Sequence, residues 1–596
     1  MDAQILIVLA IMAFTIFMLV TEVVRIDVTA ILTLLLLSWT SVLTTSEALS
    51  GFSSNAVIAM IAVMILGEGI SKTGMMSRFS KAVLSKIGQT KNAILGTLTL
   101  SVGTLSAVIQ NIGAAALFLP STLDISRRTK IPASALIMPL GFAAIIGGTL
   151  TMVGSGHLIL TNDLLIAAGL EPYGLFAVTP VGIALLGSAI LFFLFFGKWL
   201  LPQGDTGGKM KQTEQEKVIE AFQLNKNIKF FSIPKQSNLV GLSVEDSGVW
   251  EKYNLNILAK SEGKNIIQAP WRKSVFSELQ TIALMGNDAQ LELFANDYQL
   301  EKNQNQGIYE GIDDPEDYGF VEVIVPPRSE LIGKIREYGL RKRHGVEPVM
   351  LFSNGQKYQG DFSDHTITAG DTFIIYGSWK NIRALQNSDP FVVATSISAE
   401  LKDTSKTWIA AGSFVLAIIL ALSGFSISIA FLTGAMLMVL AKVMTIQEAY
   451  KAIEWKVVFL LVGLIPLGIA MQNTGTAQFL AEGIMTVVDG SHTIVILLTV
   501  AVLATVFSLV MSNVGAVVVL APLVVGIGTL AGLDPRPLVL LAAVCAGNSF
   551  ILPTHQVNAL LMTPGGYKTK DYFKAGGGMT ILFLVVAVGF FYFSFF

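Results

Sequence analysis

On either side of a polar block at about 203–403, this chain consists of apolar runs close to the length that crosses a lipid bilayer. A spanning helix needs about 20 apolar residues to traverse roughly 30 Å of hydrocarbon, where each backbone N–H and C=O must be paired within the protein. The runs lie near 3–24, 28–43, 54–70, 131–153 and 175–200 before the block, and near 407–423, 425–441, 456–472, 537–552 and 578–596 after it. Of the 596 residues only 14% are charged, whereas a soluble domain carries about 25%. The expectation is a polytopic α-helical membrane protein whose first partner is the lipid bilayer. Asp2, with no early Lys or Arg, argues against a cleaved leader, so the first run reads as a span. The net charge of -2 predicts no nucleic-acid partner. One cysteine, Cys545, leaves no disulfide framework and no thiolate metal cluster.

Two further apolar stretches, near 93–119 and 493–530, are broken at their centres by polar kernels. The first kernel is Gln110-Asn111-Ile112-Gly113 and the second Ser512-Asn513-Val514-Gly515. Lys72, Arg78, Lys81, Lys86 and Lys91 precede the first stretch, and Arg127, Arg128 and Lys130 follow it. Cationic flanks favour the cytoplasm. A stretch with both ends there is a re-entrant hairpin whose tip lies at membrane depth.

The chain also repeats itself. Leu66-Gly67 through Thr73-Gly74 returns as Leu467-Gly468 through Thr474-Gly475, and Asn111-Ile112-Gly113-Ala114 with Pro120 returns as Asn513-Val514-Gly515-Ala516 with Pro522. The near-constant offset marks one long duplication. Each half reads as three spans, a hairpin and two spans. An odd span count turns the second half upside down, the inverted-repeat plan of secondary transporters. It places the polar block in the cytoplasm and brings the second hairpin in from outside; Lys568, Lys570 and Lys574 then also fall inside. The expected organisation is a membrane half at 1–202, two cytoplasmic domains at 203–310 and 311–404, and a second membrane half at 405–596 of an inner (plasma) membrane protein.

A hairpin tip offers helix N–H groups to an anion and free carbonyls to a small cation. Asn111 and Asn513 add amides suited to either, and Gly113 and Gly515 are expected to permit a sharp turn and close approach. Behind each hairpin a second span is interrupted by small polar residues, Gly147 through His157 and Ala546 through Gln556. Unwound backbone there supplies oxygens for a hard cation. The expected anion-binding residues are Gln110, Asn111, Gly113, Ser512, Asn513, Gly515 and Thr554. The expected sodium ligands are Ser106, Asn111, Thr149, Thr151, Gly154, Asn513, Asn548 and Ser549. His157 and His555 hold matching places and read as structural hydrogen-bonding residues, and Glu68 reads as one half of an interfacial ion pair with Lys72. The sequence carries no P-loop, potassium-filter motif or enzyme constellation, so no catalytic residue and no organic cofactor in the membrane part are expected.

The membrane portions, about 1–200 and 405–596, resemble the divalent anion:sodium symporter family within the ion-transporter superfamily that includes citrate-transporter-like permeases. The resemblance rests on Glu47-Ala48-Leu49-Ser50-Gly51-Phe52-Ser53, on the two Asn kernels, and on Pro564-Gly565-Gly566-Tyr567 with Asp571-Tyr572. It implies sodium-coupled symport of a small inorganic or organic dianion, an elevator-like movement and a homodimer. The family's tips read Ser-Asn-Thr. Here Gln110 replaces the first serine, and Ile112 and Val514 replace the threonines whose hydroxyls hold carboxylates, which favours sulfate over a dicarboxylate. The polar block resembles two RCK-type C-terminal domains, the second clearest at Phe320–Val325, Glu347–Phe352 and Ile367–Gly377, the first fainter at Ile228–Ile233 and Tyr253–Ala259. That resemblance implies regulation, with a nucleotide-type ligand as one candidate. Two other readings remain open: a cation pathway gated by those domains, and a transporter-derived anion sensor.

Overall fold

A computed structural model describes residues 2–21, 23–75, 90–202, 218–219, 222, 224, 227–262, 265–303, 312, 317–327, 329–386, 391–394, 404–488 and 490–596, with the side chains of 124, 127, 128, 334, 337, 386 and 404 excluded. The cations expected at Arg78, Lys81 and Lys86, and the side chains of Arg127 and Arg128, lie outside the described residues. The chain separates into two compact units, Met1–Lys209 with Lys402–Phe596, and Met210–Leu401.

Among the described residues, the regular elements of the first unit are all helices. Its first half runs Ala3–Thr21, Ile26–Trp39, Thr45–Leu49, Asn55–Lys72, Lys91–Ser106, Asn111–Thr129, Ser134–Gly147, Gly156–Ala167 and Thr179–Leu200. Its second half runs Thr407–Leu422, Ile427–Leu440, Ile446–Ala452, Trp455–Asn473, Thr476–Val488, Thr493–Val510, Asn513–Ala531, Pro535–Ala546, Gln556–Met562 and Thr569–Phe595. Among the described residues seven helices are long and apolar enough to cross a membrane. The first helix pair is longer than its apolar stretch suggested, because its second arm extends into a polar end, while the second pair matches its stretch; the amphipathic helix Thr476–Val488 falls outside the expected spans.

Equivalent residues start and stop the equivalent helices. Thr44 with Glu47, and Thr445 with Glu448, each form a complete capping box, pairing helix N–H groups that otherwise lack partners. Gly74 and Gly475 take positive φ values of 68° and 71° just beyond the helices ending at Lys72 and Asn473, the left-handed stop that glycine adopts without a Cβ penalty. Packing is reciprocal too: Ile26–Trp39 lies against Trp455–Asn473, and Ile427–Leu440 against Asn55–Lys72. Gly463 permits the first contact, since a Cβ there would come 2.3 Å from Ala30 backbone atoms. Lys72, expected beside Glu68, carries an ion pair to Glu448.

Two motif residues acquire structural roles here. A Cβ on Gly51 would lie 2.1 Å from the Val462 carbonyl, so this glycine seats the Ser50–Ser53 turn on the Trp455–Asn473 helix. Tyr567 donates its hydroxyl to the Ser134 carbonyl at 2.7 Å and accepts the Met138 N–H at 2.7 Å. It thereby inserts into the first turn of Ser134–Gly147, a helix that also contains Pro139, and repairs the ladder it interrupts.

The second unit holds two lobes of one topology. The first sheet, in order β3-β2-β4-β1-β5, uses β1 Ile228–Ser232, β2 Asn256–Glu262, β3 Asn265–Gln268, β4 Thr281–Met285 and β5 Glu301–Lys302. The second, in order β12-β6-β11-β8-β9, uses β6 Tyr318–Ile324, β8 Glu347–Ser353, β9 Gln356–Gln359, β11 Thr372–Ser378 and β12 Val392–Val393. Read from opposite ends, the two orders coincide. The β7–β10 pair (Gly333–Lys334 with Thr366–Ile367) has its counterpart in the Ser243–Val275 bridge, and a helix follows β4 and β11 alike. Each lobe has its own apolar core, and a third cluster, including Phe230, Met285, Phe320 and Tyr376, joins the lobes.

Glu347 is buried in this unit. Arg341 donates to it from Nε at 2.7 Å and from a terminal nitrogen at 3.0 Å, and Trp250 Nε1 donates at 3.3 Å. The Arg341 guanidinium also stands 4.2 Å from the centre of the Trp250 ring. Burial pushes the Glu347 carboxyl above its ordinary pKa, and Arg341 opposes that rise.

Candidate functional site

Both kernels sit where a helix stops and restarts. Lys91–Ser106 ends at a tight turn through Ala107–Gln110, after which Asn111 opens the next helix. Thr493–Val510 gives way at Met511-Ser512 to the helix opened by Asn513. The spans behind them are broken as expected, at 148–155 and 547–555. Gly113 and Gly515 do not make the turns: both lie inside the exit helices, and neither is among the glycines at positive φ. A Cβ on Gly113 would meet only Ile109, at 3.9 Å, while one on Gly515 would have three ordinary contacts.

The two tips contain the same hydrogen-bonded unit. Ser106 Oγ lies 2.8 Å from Asn111 Oδ1 and 2.6 Å from the Ala144 carbonyl, partners five and 38 positions away. Ser508 Oγ lies 2.8 Å from Asn513 Oδ1 and 2.5 Å from the Ala546 carbonyl, again five and 38 positions away. Ser549 Oγ joins the second unit, 3.1 Å from both Ser508 Oγ and Asn513 Oδ1. In each unit the oxygens outnumber the hydroxyl protons available to bridge them. That excess of lone pairs, largely screened from water, suits a hard cation.

The breaks approach the tips closely. A Cβ on Gly148 would fall 2.6 Å from Asn111 Oδ1 and 2.2 Å from Ser155 Oγ, so the approach requires glycine there. Thr151 donates to the Ala107 carbonyl at 2.7 Å and accepts the Gly154 N–H at 3.0 Å, which ties the first break to the first tip. Asn558 donates to the Ser549 carbonyl at 2.9 Å and orients the second break.

Other expected residues are bonded elsewhere. Thr149 donates to the Ile146 carbonyl at 2.7 Å. Asn548 accepts from Thr580 at 3.0 Å and donates to Thr505 at 3.2 Å, so its amide belongs to the packing behind the break. Thr554 is exposed, and His555 Nδ1 caps the following helix by accepting the Val557 N–H at 3.2 Å. His157 is buried with no partner for Nε2 among the described residues; that nitrogen lies 3.6 Å from where a Cβ on Gly547 would stand.

The tips differ in how their exit helices begin. Ser512 accepts the Gly515 N–H at 3.1 Å and caps its helix. Gln110 makes no such cap; its side chain lies beside Glu454, the residue before Trp455–Asn473. The first exit helix therefore presents its opening N–H groups without a side-chain cap, beside a carboxylate. Ser508 and Glu454 do not stand among the expected residues. Ser508 has a signal in the sequence, five positions before Asn513 as Ser106 is before Asn111; Glu454 has none, since only folding brings it to Gln110.

The citrate transporter family model matches this chain over residues 16–547 and 488–596. An uncharacterized transporter of Escherichia coli (strain K12), YfbS, is 28% identical over 605 residues, which cover 99% of this chain and 98% of that protein. Sodium/sulfate cotransporter 1 of Chlamydomonas reinhardtii is 20% identical over 362 residues, covering 56% of this chain and 39% of that protein. Among solved structures, a GsuK RCK domain aligns with 27% of this chain and 63% of its own, at 11% identity and a TM-score of 0.15, a likeness too low to assign the lobes.

Proposed function

The chain belongs to the citrate transporter family, and from that membership we propose that it is a secondary active transporter that couples sodium to the movement of a small dianion. The observation that carries the reading is the repeated Ser–Asn–carbonyl unit at the two hairpin tips. The oxygen clusters are where sodium ions bind, with Ser106, Asn111 and the 148–155 backbone in one, and Ser508, Asn513 and Ser549 in the other. The dianion sits between the tips and takes the uncapped N–H groups that open the first exit helix. Cations held beside it offset its charge and lower the cost of carrying it through a medium of low dielectric.

Sulfate is the favoured anion. Ile112 and Val514 supply no hydroxyl for a carboxylate, and the Chlamydomonas relative is named a sodium/sulfate cotransporter. The second half is inverted relative to the first, the hairpins are re-entrant, and the hairpin-bearing helices move as an elevator against a scaffold that dimerises. Residues 203–310 and 311–404 are two cytoplasmic regulatory domains, a reading supported by the matched strand orders of the two lobes.

Uptake of radiolabelled sulfate and succinate into proteoliposomes, with and without a sodium gradient, tests this directly. Sodium-driven sulfate uptake is expected, and it should be abolished by Asn111→Ala or Asn513→Ala. Uptake that survives both changes with normal sodium dependence would remove the site assignment, and uptake indifferent to sodium would remove the coupling.

A further inference from the structure

A cavity of about 290 Å³ opens in the helical unit, separate from the Ser–Asn units, between the helix starts at Asn55 and Ile427 and the end of Gly156–Ala167. A water occupies about 30 Å³ in bulk, so the space holds a small ion together with much of its hydration shell. Apolar residues such as Ala59, Ile159 and Phe425 form much of the wall, and Asp163 is its one ionisable carboxylate.

The polar groups around Asp163 are mostly committed to one another. Ser428 donates to Asn55 Oδ1 at 2.8 Å, and Asn162 exchanges two 2.8 Å hydrogen bonds with the Tyr173 backbone. Asp163 itself uses one oxygen, Oδ2, for both of its bonds, from the Ser54 hydroxyl and from the Ala56 N–H at 2.9 Å. Its other oxygen, Oδ1, receives no hydrogen bond from the described residues, and no described cationic side chain pairs with it. A carboxylate in a wall of low polarity is stabilised by a counter-charge. The start of Asn55–Lys72 supplies only a partial positive charge, and it does so to Oδ2.

We infer that this cavity is a further cation site, in which Asp163 Oδ1, with the Ser426 and Ser428 hydroxyls that line the same cavity, holds a partly hydrated monovalent cation. One charge on the protein matched by one on the ion gives a neutral complex, and the retained waters complete the coordination that one carboxylate and two hydroxyls leave open. The inference rests on the reading of the chain as cation-coupled. It adds an ion-binding position outside the hairpin tips.

The test is equilibrium binding of ²²Na⁺ to the purified full-length protein in detergent, with choline chloride maintaining the ionic strength. Asp163→Asn preserves the shape of the side chain and its acceptor to Ala56 while removing the charge. Ala59→Leu fills part of the cavity and leaves the Ser54 and Ala56 ties in place. Each is expected to bind one sodium fewer per chain than the wild type while eluting at the same position in gel filtration. Asn513→Ala is expected to retain the Asp163-dependent ion. If D163N binds as many ions as the wild type with the same affinity, while N513A loses binding, this inference fails and the hairpin reading stands. The reverse pattern keeps the cavity site and removes sodium from the hairpin. A wild-type protein that binds no sodium overturns both.

Discussion

Ser508 Oγ stands 2.8 Å from Asn513 Oδ1, the separation also found between Ser106 Oγ and Asn111 Oδ1. Each serine also reaches a carbonyl in the last turn of the helix before the break, at Ala546 and Ala144. The duplication therefore survives at the level of individual hydrogen bonds. The oxygen-rich corner it creates is the physical basis for the coupling proposed above.

Ser508→Ala removes one oxygen from that corner without disturbing the apolar packing. Half-saturating sodium for sulfate uptake should rise about tenfold, equivalent to about 1.4 kcal/mol. Ser106→Ala should act in the same direction. Sodium-activation curves in proteoliposomes check both, and unchanged curves would separate these serines from ion binding.

Glu454 places a carboxylate beside Gln110 at the first tip. Glu454→Gln removes the charge and preserves the shape. Repulsion between the carboxylate and an incoming dianion then disappears, so half-saturating sulfate should fall several-fold at fixed sodium. The effect should persist at high ionic strength, because a partly buried charge is only weakly screened by salt.

Gly148→Ala would push a methyl group to 2.6 Å from Asn111 Oδ1 and 2.2 Å from Ser155 Oγ. Neither contact can be kept, so the break must retreat from the tip. The expected outcome is loss of sulfate uptake, with a stability cost of about 1–3 kcal/mol. Thermal unfolding followed alongside uptake distinguishes a displaced tip from a collapsed fold.

In the second unit, Glu347 is buried against Arg341 and Trp250. Arg341→Ala leaves a buried carboxylate without its counter-charge, which typically costs about 3–5 kcal/mol. The double change Arg341→Met with Glu347→Leu should recover much of that loss, since it removes both charges together. Protease susceptibility of the 203–404 segment in the full-length protein reports the difference.

Glu448 accepts from Lys72 and closes the capping box at Thr445, interactions that pull its carboxyl from the usual 4.5 down to about 2. A depressed carboxyl pKa stabilises the fold above the unfolded-state value and loses that contribution as pH falls through the folded-state value. The tie should therefore be complete above about pH 4.5 and largely gone near pH 2. Because Glu448 is 40% exposed, the gain at neutral pH should stay below about 1 kcal/mol. Melting of Glu448→Gln and wild-type protein should converge across that pH window.

The apolar runs and the duplicated kernels were legible in the sequence because both are local. Twenty apolar residues in a row have one stable environment, and an Asn-centred polar kernel inside such a run marks the break in both halves. The strand pattern at Phe320–Val325 was legible for the same reason, and it appears as β6, Tyr318–Ile324. Other features depended on what lies across the fold. Nothing in the sequence places Glu454 beside Gln110, or Thr505 and Thr580 on the Asn548 amide. Tyr567 reads as a family marker until its hydroxyl is found bridging Ser134 and Met138. Chain order by itself determined where helices could break and which breaks correspond. Only the tertiary structure decided which polar atoms at those breaks remain available, because a donor or acceptor is spent on whichever partner folding brings within about 3 Å.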